Sequence, residues 1–242
     1  MHSDLPKVLH PVAGQPMLRW IVQTCRDAMA SRCIIVVGYR GNDVRQALTA
    51  VDGCKFVEQH QPLGTGDAVR MAEPVFENSL PGDVLVLAGD GPLIRASTLV
   101  KLIEKHHQTQ AAATLATAIV DDPSGLGRVI RNDQGQFEAI VEDKDADAKQ
   151  LKIREINPSY YCFNRALLFD TLKQVGNDNE SGEYLLTDVP GLLRTNGHQV
   201  SLLDSIPPED VLSVNTPQQL ARVEQIFQNR LADSPNMLRQ RA

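Results

Sequence analysis

Short, continuous apolar runs alternate along this chain with amphipathic segments, and that alternation limits its fold more than any other feature. "CIIVVG" (Cys33–Gly38) and "DVLVLAGD" (Asp83–Asp90) run apolar until a glycine stops them. Such runs suit strands covered on both faces, because a strand with one wet face alternates polar and apolar residues. Before the first run, Met17, Trp20, Ile21, Cys25 and Met29 recur at helical spacing. Between the runs, "NDVRQALTA" predicts a helix capped by Asn42, "KFVEQ" a short strand, and "TGDAVRMAEPVF" a helix ended near Pro74. "ASTLVKLIEKHH" then predicts a helix and "AATLATAIV" a strand. Strand and helix in turn predict an α/β fold, a doubly wound parallel sheet with helices on both faces.

After position 120 the rhythm changes. "GRVIRNDQGQFEAIVE" predicts two antiparallel strands around an Asn-Asp-Gln-Gly turn. "EINPSYYCF" predicts a further strand, helices follow over 165–174 and 184–196, and "QVSLLD" predicts another strand. The last helix is expected from Pro217 towards Leu231, with Thr216 as its cap and Pro217 at its first position. One domain is expected over 1–228. Residues 229–242 are expected to hold a helix end and the polar, loose tail "ADSPNMLRQRA".

Composition excludes several function classes. With Lys+Arg 24 against Asp+Glu 30, the net charge of -6 argues against a broad nucleic-acid surface. It leaves room for a small anion in a local basic pocket. The 4 cysteines form no C-x-x-C pair and predict buried thiols in a reducing cytoplasm. No apolar run approaches the ~20 residues that span a bilayer. No charged-then-apolar leader opens the chain. The expectation is a cytoplasmic protein without membrane or nucleic-acid partners.

In open α/β sheets, ligands bind beyond the carboxyl ends of the strands. The polar residues at predicted strand ends are Gln59, Asp90, Glu142, Asn157 and Asn215. Asp90 reads as a Mg²⁺ ligand, since that ion keeps waters and takes its other ligands from phosphates, or as turn chemistry in "GDGP". "LGTG" (Leu63–Gly66) opens a helix; its Gly64 and Thr65 suit an anion or a base edge, or form a plain capped loop. Lys7, in a Pro/Gly-braced segment, reads as a surface lysine or as a point charge for phosphate. Glu142 and Lys144 read as a binding pair or as a solvated charge run.

Taken in order, "SDLPKVLHPVAGQPML", "LGTGDAV", "LAGDGPLI", "DDPSGLGRVIR", "IVEDKDA", "REIN", "GEYLLTD" and "SVN" resemble the nucleotide-sugar pyrophosphorylases. Within that family, "SDLPKVLH" with "GLGRVIR" and "IVEDKDA" points to the branch that uridylylates N-acetylglucosamine 1-phosphate. The resemblance implies a Rossmann-like mixed sheet of the nucleotide-diphospho-sugar transferase type. It implies attack of the sugar phosphate on the α-phosphorus of UTP, giving UDP-N-acetylglucosamine, a cell-wall precursor, and pyrophosphate. It further implies that Lys7 contacts phosphates and that Gln59, Gly64 and Thr65 hold the nucleotide. Asp90 and Asn215 would bind Mg²⁺, and Gly127, Glu142 and Asn157 would bind the sugar.

Some features depart from the family pattern. The family's opening strand and Gly-rich loop would precede Ser3, so the sheet is expected to lack its first strand and this exact chain to be impaired. No hexapeptide repeat occurs before Ala242, so no acetyltransferase activity is expected of this chain. Ala88 stands where an aromatic residue is frequent, and "INPS" where "INTG" is usual, which loosens the choice of sugar. The competing readings are a nucleotidyltransferase for another sugar phosphate or nucleotide, and a non-catalytic nucleotide-sugar-binding protein. Oligomeric state stays open.

Overall fold

Cys33–Val37 and Asp83–Leu87 both form strands, but they belong to different sheets. The computed structural model describes residues 3–49, 51–204 and 206–233. A 3₁₀ turn (Lys7–Leu9) leads into a small hairpin, β1 (Pro11–Val12) and β2 (Gln15–Pro16), and then α1 (Met17–Asp27). Next come β3 (Cys33–Val37), α2 (Gly41–Ala47), β4 (Cys54–Glu58), α3 (Thr65–Arg70), β5 (Asp83–Leu87) and α4 (Ala96–Thr109). The second half holds β6 (Ala113–Ala116), β7 (Ala118–Ile119), β8 (Gly127–Arg131), β9 (Phe137–Val141), β10 (Glu155–Asn157) and β11 (Tyr160–Asn164). It closes with α5 (Arg165–Leu172), α6 (Asp188–Thr195), β12 (Val200–Leu203) and α7 (Pro217–Asp233). The expected tail lies mostly outside the described residues, and Leu231 in the last turn of α7 is buried.

The central sheet has the order β12-β6-β11-β5 and is mixed. β12 runs parallel to β6, while β11 lies antiparallel between β6 and β5. β3 and β4 pair in parallel as a separate two-stranded sheet. The antiparallel excursion is the sheet β7-β10-β8-β9, with β8 and β9 joined through the predicted Asn-Asp-Gln-Gly turn. Two predicted strands are each split in two. "AATLATAIV" breaks at Thr117, so that β6 serves the central sheet and β7 the excursion. "EINPSYYCF" breaks at Pro158 and Ser159, where Ser159 takes a φ of 61°, and passes from β10 to β11. Each break lets one segment change sheets.

Several local expectations change. Asn42 lies inside α2; the residue before that helix is Arg40, in the left-handed region at φ 52°. α3 ends at Arg70, and Pro74 falls in a following 3₁₀ turn (Glu73–Phe76). β3 buries only Ile35 and Val37 fully, and β5 is half-buried along most of its length. β6 and β11 take the fully covered place instead, buried from Ala113 to Ala116 and from Tyr160 to Phe163. Of the free cysteines only Cys25 and Cys162 are buried; Cys33 and Cys54 are half-buried.

α7 begins as predicted. Thr216 Oγ1 accepts from the Gln219 N–H at 3.2 Å, and Gln219 Oε1 accepts from the N–H groups of Asn215 and Thr216. This reciprocal cap satisfies the free donors of the first turn and fixes the backbone beside Asn215. The body of α7 packs through Phe227 on Trp20, ring centres 4.5 Å apart, and Trp20 Nε1 donates to Val12 O.

Candidate active site

The carboxyl end of β5 gathers one group of predicted residues. Leu87 runs into Ala88, Gly89 and Asp90. A methyl group on Gly89 would press on Val8, and one on Gly91 would collide with the Tyr160 hydroxyl. The contact is tight at Gly89 and prohibitive at Gly91 unless Tyr160 moves. Val214 N–H donates to Asp90 O at 3.0 Å, which brings the "SVN" loop alongside. The Lys7 ammonium then donates to Asp90 Oδ2 at 2.6 Å and to Asn215 Oδ1 at 2.8 Å. Residues from three distant parts of the chain therefore meet at one cation position.

The two oxygens on that position suit a hard divalent cation. Asp90 supplies a carboxylate and Asn215 a carbonyl oxygen, and both already converge on a positive charge. Mg²⁺ needs little more from protein, since waters and phosphates complete its shell. Among the described residues there is no group of three or more His, Cys, Asp or Glu that could hold a metal. Any ion here would accordingly be held by this small oxygen set and by its substrate.

Beside β4, Gln59 takes its place through its N–H on Val37 O at 2.8 Å. Its Nε2 donates to Gly64 O at 3.0 Å and to Asp67 Oδ2 at 2.8 Å. Both hydrogens of the Gln59 amide are thus engaged inside the protein. The "LGTG" loop is fastened to the "GEYLLTD" segment. Tyr184 N–H donates to Leu63 O, Gly66 N–H to Tyr184 O, and Leu186 N–H to Thr65 Oγ1. Gly64 sits at φ 115°, and a methyl group there would lie 2.5 Å from Tyr184 O. Its glycine is required both by backbone angle and by space.

The same segment reaches the third group. Thr187 Oγ1 donates to Glu142 Oε1 at 2.9 Å. Burial pushes the Glu142 carboxyl up from its ordinary value, the Thr187 hydroxyl opposes this, and Asp145, Asp188 and Asp143 push it further. Gly127 is paired with Asn157 across β8 and β10, and a methyl group on it would approach Ile140 and both Glu142 carboxylate oxygens. Asn157 is buried and donates from Nδ2 to the Tyr161 hydroxyl at 2.6 Å. A cavity of about 430 Å³ opens beside Glu142, with Asp145, Asn179 and Asp188 on its wall. Burial also raises Asp188, with Asp145 adding to the effect.

The structure brings the residues named from the sequence into three groups: Lys7–Asp90–Asn215, Gln59–Gly64–Thr65, and Gly127–Glu142–Asn157. Sequence reasoning misses the residues that hold them. Asp67 reads only as an acid in the first turn of a helix, and Thr187 and Tyr161 carry no local mark. Their roles depend on contacts across more than one element.

The site thus lies on a mixed α/β sheet, with polar residues gathered beyond its strands and the "LGTG" loop beside them. Residues 1–188 match the model of the MobA-like NTP transferase domain, and the chain belongs to that family. Among curated relatives, the bifunctional protein GlmU of Heliobacterium modesticaldum is 44% identical over 231 residues, which is 96% of this chain and 50% of that protein. The bifunctional protein GlmU of Alkaliphilus oremlandii is 41% identical over 232 residues, again 96% and 50%. The chain spans about half the length of these relatives. Solved structures share the fold. A UDP-glucose pyrophosphorylase complexed with UDP-glucose superposes with a TM-score of 0.70 at 16% identity, covering 93% of this chain and 91% of that one. HddC from Yersinia pseudotuberculosis gives 0.67 at 17%, covering 94% and 92%. No helix among the described residues is long and apolar enough to cross a membrane.

Proposed function

We propose that this chain is the nucleotidyltransferase domain, over about 1–228, of an enzyme that makes UDP-N-acetylglucosamine and pyrophosphate from UTP and N-acetylglucosamine 1-phosphate. The observation that carries this reading is the meeting of Lys7, Asp90 and Asn215 at one cation position. The 183–187 segment ties the Gln59 loop to Glu142, so the nucleotide and sugar groups share one support. The GlmU relatives support the choice of reaction over other nucleotidyl transfers.

Transfer of this kind needs no protein nucleophile. It needs reactants held in line and developing phosphate charge neutralised. Lys7 faces a partly open position and would serve the phosphates as a point charge. Asp90 Oδ2 and Asn215 Oδ1 would hold Mg²⁺, which supplies charge neutralisation at the phosphates when bound. Gln59 and the loop N–H groups around Gly64 and Thr65 would hold the uracil. Gly127 would leave room for the sugar against Glu142, whose carboxylate accepts hydroxyl or amide hydrogens, while Asn157 would be oriented by Tyr161.

The test is pyrophosphate release by the full chain with UTP, CTP, GTP or ATP against N-acetylglucosamine, glucosamine and glucose 1-phosphates, with and without Mg²⁺. Release confined to UTP with N-acetylglucosamine 1-phosphate is expected. Tight UTP binding without product would favour a nucleotide-sugar-binding protein instead.

A further inference from the structure

Asp67 is a buried carboxylate that none of the roles above uses. It lies in the first turn of α3, 2.8 Å from Gln59 Nε2. The same nitrogen is 3.0 Å from Gly64 O. A backbone carbonyl can only accept, so the nitrogen end of the Gln59 amide must face it. Rotating the amide by half a turn would set its oxygen against both the carbonyl and the carboxylate. Two oxygen acceptors without a hydrogen between them repel, and at a part-buried position water does not relieve this. No donor among the described residues reaches Gln59 Oε1. That oxygen is the polar atom left to face a ligand.

We infer that Asp67 is a positioning residue that locks the polarity of the Gln59 amide and thereby sets base selectivity. The inference rests on the proposed role of Gln59 at the nucleobase. A fixed acceptor matches the imide N3–H of uracil. Cytosine in the same pose presents the lone pair of N3, which faces Oε1 without a hydrogen. A glutamine free to rotate would offer Nε2 to cytosine and Oε1 to uracil, and would separate them poorly. Gly64 O alone supplies one constraint; Asp67 adds the second and places a negative charge against the wrong rotamer.

Three forms of the full chain test this: wild type, Asp67→Asn and Asp67→Ala, each assayed for kcat/KM with UTP and with CTP at fixed sugar phosphate. In Asp67→Asn the new amide can pair with either end of Gln59, and in Asp67→Ala it pairs with neither. Both variants are expected to narrow the UTP-over-CTP ratio by about tenfold or more, with CTP gaining relative to UTP. A purely structural role would lower both substrates together and leave the ratio fixed. An unchanged ratio in both variants, with the ratio still collapsed in Gln59→Ala, overturns the role of Asp67 while sparing that of Gln59. A Gln59→Ala variant that keeps the wild-type ratio overturns the reading on which the inference rests. Should Asp67→Ala not fold, the isosteric Asp67→Asn alone decides.

Discussion

The Lys7 ammonium stands 2.6 Å from Asp90 Oδ2, with Asn215 Oδ1 2.8 Å away on the same nitrogen, so a lysine holds the position proposed for a divalent ion. Two positive charges cannot share that point. Lys7 must turn outwards, towards phosphate, when an ion enters, and its side chain is exposed enough to do so.

This exchange makes metal affinity depend on Lys7. In the nucleotide-free protein, Lys7→Ala should bind Mn²⁺ about tenfold more tightly, because a competing charge is gone from a partly screened position. The same variant should lose about 10²–10³-fold in turnover, since its phosphates lose a neutralising charge. An electron paramagnetic resonance titration of Mn²⁺ reads the first effect and pyrophosphate release the second. Weaker Mn²⁺ binding in the variant would show that the lysine does not occupy the ion's place.

How much of this was legible in the sequence depends on distance along the chain. Strand ends were legible, because an apolar run closed by Gly-Asp or Glu has a carboxylate that cannot sit unpaired in the sheet. That argument places Asp90 and Glu142 at sheet ends without any structure and leaves their roles open. The cap of α7 was legible too, since Thr216 and Pro217 mark it locally; the reciprocal Gln219 was not read from the sequence. The ranking of burial was not. β5 looks fully apolar yet is half-buried, while β6, rich in alanine and threonine, is fully covered. Both strands pair with β11, and β6 lies central because β12, a partner tens of residues away, pairs on its other side. Thr187 escaped for the same reason, meeting Glu142 from 45 residues away, while Asp67 is near Gln59 in sequence and escaped because the contact forms only when the loop between them folds back.

Gly64 is where loop geometry becomes a stability prediction. Its φ of 115° strains any side chain, and a methyl group would lie 2.5 Å from Tyr184 O and 2.8 Å from Tyr184 N. Gly64→Ala must move the loop away from the 183–186 segment, breaking the bonds from Tyr184 N–H and Leu186 N–H. A loss of about 1–3 kcal/mol is expected, read by chemical denaturation. UTP affinity should fall more steeply than sugar-phosphate affinity, because Glu142 is fastened through Thr187 beyond the damaged part. Equal losses for both substrates would mean that the segment moves as one piece.

Glu142 gives a pH-dependent prediction. Its folded-state carboxyl is raised above the ordinary 4.5, first by burial and then by Asp145, Asp188 and Asp143, against the Thr187 hydroxyl. Between the ordinary value and the raised one, the folded state binds more protons than the unfolded state, so this residue's contribution to stability falls as pH rises. Glu142→Gln removes that loss and keeps an oxygen for Thr187. The variant should therefore melt above wild type at pH 8, with the difference shrinking as pH falls towards 4.5. Its KM for N-acetylglucosamine 1-phosphate should rise. Thermal melts at several pH values check the first point, and a variant that melts lower at pH 8 would count against it.

Asp210 links the stability of α7 to the site. Its side chain is 1% exposed and its Oδ1 accepts from Arg230 at 2.6 Å, with Arg95 Nε 3.1 Å away. Arg230 also donates to Leu93 O, and the Tyr160 hydroxyl to Asp210 O. Truncating the acid leaves the little-exposed Arg230 guanidinium with only the more exposed Glu209 carboxylate, 3.7 Å away, and losing the close partner costs more than the pair itself contributes. Asp210→Ala should destabilise the protein by about 3 kcal/mol, a drop in Tm of roughly 6–12 °C for a chain of this size. Asp210→Asn, which keeps one acceptor, should lose less. Because the loop after Asp210 delivers Val214 to Asp90 O and Asn215 to Lys7, the alanine variant should also need more Mg²⁺ for half-maximal turnover well below its melting temperature. A metal requirement equal to that of wild type would show that the other contacts of α7, Phe227 on Trp20 and Arg230 on Leu93 O among them, hold it at the site without Asp210.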